Sequence, residues 1–131
     1  MHGPSGYVFN RTRQTYLATR LSIADTYWSR FVGLMGAGPE NFPAGHGLWI
    51  TPSHGVHTFA MRFPIDVAYL DGRKTIVHMA HDLKPWRMAA VSLKTSSVIE
   101  LPANTLKSSG TAIGDEVEIT IGKTPEPALY E

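Results

Sequence analysis

The stretch VHTFAMRFPID, Val56 to Asp66, sets His57, Arg62 and Asp66 into an otherwise apolar run broken by Pro64. An imidazole and a carboxyl group so close in sequence are the raw material for acid–base work, for metal ligation or for hydrogen bonding a polar ligand. Read as extended chain, VHTFAMRF puts His57, Phe59, Met61 and Phe63 on one face and Val56, Thr58, Ala60 and Arg62 on the other. The histidine then joins the apolar face, either as a core side chain bonded to Asp66 or a carbonyl, or as the floor of a pocket. Pro64 cannot donate to a β ladder, so it implies an edge, a bulge or a break between the two polar residues. A small cleft opening at that break would be lined by His57, Thr58 and Asp66.

Two other segments bear on the same cleft. KPWRM carries Lys84, Trp86 and Arg87 around Pro85, a loop combining cations with an aromatic platform that can close over an anionic or planar ligand, with Arg87 reaching toward it. In VIELPA, Glu100 has apolar neighbours on both sides, so it either hydrogen-bonds the helical turn that follows or faces the same cleft as His57. The expected binding set is therefore His57, Thr58, Asp66, Arg87 and Glu100, for a small polar or anionic ligand or a peptide segment. The best reading is a non-catalytic binding module. The alternatives are a hydrolase using His57 and Asp66, or a structural or interaction module in which both residues only pin the bend.

Catalytic and metal signals are weaker. Ser53, His57 and Asp66 can be named as nucleophile, base and orienter, but no nucleophile elbow surrounds Ser53. His54 and His57 are three apart, as are His78 and His81 beside Asp82, a helical spacing that on strands sends the rings to opposite faces. No catalytic residue, metal site or cofactor is expected.

The elements that must position these residues are mostly strands. Tyr7 to Leu17 reads as a hairpin around the polar turn NRTRQ, and Leu17, Thr19, Leu21 and Ile23 alternate onto one face of the second strand. From Asp25 the period becomes helical, with Tyr27, Phe31, Leu34 and Met35 in phase, and predicts a helix near 25–36. AGPENFPAGHG is a loop without phosphate-binding spacing. GLWI, VHTFAM, IDVAYLD, KTIVHMAHDL, SSVIELPA and EVEITI follow as short strands, LDGRK supplies an Asp-Gly turn, and PANTLKSSG predicts a short helical turn near 103–109. The fold class is α+β, mainly β: a small barrel or sandwich of short, largely antiparallel strands.

At 131 residues the chain fits one domain, expected over 7–122, with a flexible start at 1–6 and an irregular tail at 123–131. Twelve Lys and Arg against eleven Asp and Glu leave no basic excess for phosphates, so no nucleic-acid partner is expected. The absence of cysteine removes disulfides and thiolate chemistry. With no export signal and no long apolar stretch in the given chain, the expectation is a soluble, cytoplasmic protein without a membrane segment.

The order and spacing of RFVGLMG, GLWITPSHGVHTFAMRFPIDVAYLDGR, LKPWR, VIELPA and IGDEVEI resemble the family catalogued as domain of unknown function 192. The resemblance runs from about Tyr7 to Ile121 and is most specific at HTFAMRFPID. It implies a small β-rich domain with a helix near its start, in a family whose members occur as plain soluble proteins and behind export signals, and it implies no activity. Many relatives that share the His-Thr-Phe segment carry a cysteine where this chain has Ser53, so any thiol chemistry or metal ligation built on that position is absent here.

Overall fold

The first hairpin forms where a polar turn interrupts two β-prone runs: β1 (Gly6–Asn10) returns as β2 (Thr15–Ala24), antiparallel to it. The computed structural model describes residues 5–26, 29–30, 34–89 and 92–125. The remaining elements are a 3-10 turn at Pro39–Asn41, β3 (His46–Ile50), β4 (Ile65–Leu70), β5 (Ile76–Leu83), β6 (Ser97–Pro102), α1 (Thr105–Ser108) and β7 (Val117–Ile121). They form one seven-stranded sheet in the order β5-β4-β6-β3-β2-β1-β7. Every pairing is antiparallel except β2 with β3, which run parallel. A parallel pair needs a connection that crosses the sheet, and residues 25–45 provide it.

The sheet curls into a half-barrel. Its outer strands approach at one corner, where Thr75 and Glu116 form an isolated bridge and the Val117 N–H reaches the Lys74 carbonyl at 3.0 Å. The expected mainly β architecture of short, largely antiparallel strands is thus present, as a curled single sheet rather than a sandwich. Of the helix expected near 25–36, Ser29 and Arg30 are helical and residues 27, 28 and 31–33 lie outside the described residues. The turn expected near 103–109 is α1. Gly6 belongs to β1, residues 123–125 have no regular structure, and residues 1–4 and 126–131 lie outside the described residues.

Both faces of the central strands are covered, which is why β4 is buried at all six positions. Ala68, Leu70, Ile99 and Leu101 pack with Val8, Leu17, Leu21 and Leu106 on one face. Ile65, Val67, Tyr69 and Val98 pack on the other with Leu48, Ile50, Phe42, Met61 and Phe63. The alternation expected in β2 fails at Thr19, which is exposed while Leu17 and Ala18 are both buried. The cause is a bulge: the register passes from Phe9↔Tyr16 to Val8↔Ala18, leaving Leu17 as an extra residue that shifts the phase.

At Gly6 the backbone of β7 comes too close for a side chain. A Cβ there would collide with the Thr120 carbonyl oxygen and lie 3.1 Å from the Ile121 Cα, backbone atoms that cannot rotate aside. Gly6→Ala is expected to cost about 1–3 kcal/mol, read as a lower urea midpoint; an unchanged midpoint would mean that β1 and β7 separate there without penalty.

Candidate functional site

The segment that carries His57, Thr58 and Arg62 is not a strand. Residues 58–64 contain a turn and bends, with Ala60 at φ 61°, and only His57 makes a β-bridge, to Met88. Met61 and Phe63 are buried as expected, but Phe59 is 40% exposed, so the face expected from alternation does not exist. Thr58 explains why. Fully buried, its hydroxyl donates to the Lys84 carbonyl at 2.6 Å and accepts from the Arg87 N–H at 2.8 Å, while its own N–H donates to the Arg87 carbonyl at 2.8 Å. These bonds staple the 57–61 turn to the 84–88 loop in place of a ladder. Across the staple Trp86 stacks on Phe59, centroids 6.2 Å apart, and Phe59 lies against the His57 ring at 5.2 Å.

Asp66 is also scaffold. It sits in fully buried β4, and its two side-chain oxygens accept from the Asp82 N–H and the Leu106 N–H, each at 2.9 Å. The first donor is freed by a bulge in β5, where the register jumps from Ile65↔Leu83 to Val67↔Ala80 with Asp82 at φ 51°; the second is an N-terminal amide of α1. The expected pairing of Asp66 with His57 is therefore corrected, because the carboxyl group is engaged by backbone. It borders a separate hollow with His81, Asp82, Asn104 and Lys107. Arg87 is exposed on its loop, donating to the Trp86 carbonyl at 3.4 Å.

His57 and Glu100, by contrast, line one cavity of ≈110 Å³, together with Arg30, Ser53, Met61 and Ile50. Thr58, Asp66 and Arg87 do not line it. Glu100 lies in β6 between Leu48 of β3 and Val67 of β4, its register partners, on the face opposite Ile99 and Leu101. It is 2% exposed, and its Oε1 has no hydrogen-bond partner. Burial pushes its carboxyl up from 4.5 to about 8, so at neutral pH the group is mostly a protonated acid, donor as well as acceptor. Tyr69, buried on the same face, is pushed up to about 12, by burial first and the Glu100 charge second, and its hydroxyl also lacks a partner. Buried polar atoms without partners are rare in folded proteins and mark a place where water or a ligand belongs.

Other polar residues of the hollow also bond to backbone. Ser53 donates its hydroxyl to the Gly55 carbonyl at 2.7 Å, His57 Nδ1 accepts the Phe59 N–H at 3.3 Å, and Arg30 donates to the Pro52 carbonyl at 3.4 Å. Arg30, Leu34 and Met35 had not been anticipated at the site. The only sequence signal was the i, i+4 spacing of Arg30 and Leu34, which a helix brings to one face. Among the described residues, no three His, Asp or Glu side chains gather as a metal site. Nor is any described helix long and apolar enough to cross a membrane.

The family model for domain of unknown function 192, described as "Uncharacterized ACR, COG1430", matches residues 8–119. The chain belongs to that family. It is 32% identical to a UPF0127 protein of Pyrococcus abyssi over 119 residues, 86% of this chain and 97% of the relative, and 30% identical to a UPF0127 protein of Thermococcus sibiricus over 116 residues, 85% and 73%. In shape it is similar to the crystal structure of a protein of unknown function from Novosphingobium aromaticivorans, with a TM-score of 0.73 at 18% identity over 87% of this chain and 83% of that one.

Proposed function

We propose that the chain is a non-catalytic binding module whose pocket, between the 53–61 segment and β6, holds a small polar ligand. The observation that carries this reading is Glu100, whose buried Oε1 has no partner and which lines a hollow together with His57 and Arg30. The volume admits several waters or a ligand of a few heavy atoms. The polar groups fix orientation, while Ile50, Val56 and Met61 supply apolar walls, the usual division of labour in small-molecule sites.

The hydrolytic alternative gains nothing from the geometry. It needs Asp66 to orient His57, but Asp66 is engaged by two backbone amides, and the Ser53 hydroxyl donates to the Gly55 carbonyl rather than to an imidazole.

The test is a thermal-shift screen of small polar fragments against the wild-type chain, Glu100→Leu, His57→Ala and Arg87→Ala. A true ligand at a hundred times its Kd should stabilise the wild type by about 2.7 kcal/mol. That gain should vanish in Glu100→Leu, weaken in His57→Ala and persist in Arg87→Ala. The reading is abandoned if no fragment produces a stabilisation that the first two variants lose.

A further inference from the structure

Beside the polar hollow lies a larger cavity of ≈460 Å³, whose described lining combines Leu34, Met35, Ala37, Phe42 and Leu48 with the polar Ser22, Asn41 and His46. The two share more than proximity. Leu34 and Met35 line both cavities. Leu48, in the wall of the larger one, is the register partner of Glu100 in the smaller. Leu48 and Ile50 are two apart on one face of β3, so the floor continues along that strand from one cavity to the other.

We propose that these cavities are the two ends of one site, and that its occupant is a monocarboxylic acid with an aliphatic tail, the carboxylate at Glu100 and Arg30 and the tail along Leu48 and Phe42. The proposal rests on the polar pocket of the preceding section and names its ligand class.

The head group follows from charge. Among the described residues lining the polar end, the Arg30 guanidinium carries positive charge, and Glu100 is mostly protonated at neutral pH and so offers a donor. A ligand carboxylate accepts from both. An ammonium head would face the guanidinium and require Glu100 to ionise without water, and an alcohol takes no advantage of the cation. Tyr69 of β4 is coupled to the Glu100 charge, and Arg30, His57 and Ser53 share the lining of its cavity. The tail follows from the apolar side of the larger cavity, Met35, Ala37, Phe42 and Leu48, while Asn41 and His46 are polar members of its lining.

The test is calorimetric titration of the full chain with acetate, hexanoate, octanoate, hexylamine and hexanol, with the Glu100 carboxyl followed by carbon-13 NMR. Affinity should rise roughly three- to fourfold per methylene, with hexanoate above hexylamine and hexanol, and should fall above about pH 8 as Glu100 ionises. Glu100→Gln keeps a donor and should bind octanoate within about threefold while losing that pH dependence. Ser22→Leu, which fills the larger cavity, should weaken octanoate at least tenfold and leave acetate within twofold; Ala37→Phe serves the same purpose if Ser22→Leu does not fold. Equal affinity for acetate and octanoate, unmoved by either filling variant, would overturn the shared site while leaving the polar pocket standing. Tighter binding of hexylamine than hexanoate, abolished by Glu100→Gln, would overturn the head-group assignment. A leucine-terminated tetrapeptide binding better than octanoate would overturn the aliphatic acid in favour of a chain terminus. No shift of the Glu100 carboxyl with any probe would overturn the proposal, and the fragment screen then decides separately whether the pocket binds anything.

Discussion

Glu100→Gln is expected to leave stability nearly unchanged at pH 4 and to raise it by roughly 3–5 kcal/mol at pH 8. The folded carboxyl holds its proton to about pH 8, whereas an unfolded glutamate releases it near 4.5. Below the unfolded value both states are protonated and the folded protein pays no penalty. Between the two values only the unfolded chain ionises, so stability declines through that window and levels off above it. An amide of the same shape does not titrate and removes the decline. Urea denaturation from pH 4 to 9 measures this directly, and a variant that declines as steeply as the wild type would show that the Glu100 proton is not its source. Tyr69 does not confuse the measurement, since its raised value affects stability only above pH 10. Asp115 shapes the opposite limb. Burial works to raise its carboxyl, but hydrogen bonds from Arg13, Asn10 and the Ala112 amide, with the Arg13 charge, hold it below its ordinary value. Its contribution is present above that ordinary value and is lost in acid.

Asp66→Ala is expected to destabilise the fold by about 2–5 kcal/mol without altering ligand affinity in the variant that remains folded. Removing the side chain orphans two amides at once, at the β5 bulge and at the start of α1. Amide exchange at Asp82 and Leu106 should accelerate more than at the β1–β2 hairpin. Asp66→Asn keeps one acceptor but turns an amide toward the other N–H, and should fall between. A stable Asp66→Ala protein with lost binding would reverse the assignment and place Asp66 in the site rather than beneath it.

The strands were legible because their apolar runs are short and end at Gly, Pro, Asp or Ser, and Glu100 was legible for a related reason: a charged residue in VIEL has no exposed face to occupy. Asp66 was legible as important but not as scaffold, since its partners are backbone amides released by a bulge and a helix start, and no spacing of side chains displays those. HTFAMRF misleads because its apolar alternation is that of a strand, while the hydroxyl of Thr58 offers the backbone a different set of bonds. Arg30 and Leu34 were invisible as wall residues because their position depends on how the crossover lies over the sheet, a long-range outcome that local periodicity does not encode.

The pairing order also determines when the pocket can exist. The β1–β2 and β4–β5 hairpins join neighbours in the chain and need only short loops to close. The floor of the cavity is different: Leu48 meets Glu100, and Ile50 meets Val98, across more than a third of the polypeptide. Such contacts are entropically late, so a chain with both hairpins formed still lacks a binding site. Occupancy therefore rewards the last steps of assembly, and slowed amide exchange on β3 and β6, rather than in the hairpins, is where a bound ligand should first leave its mark.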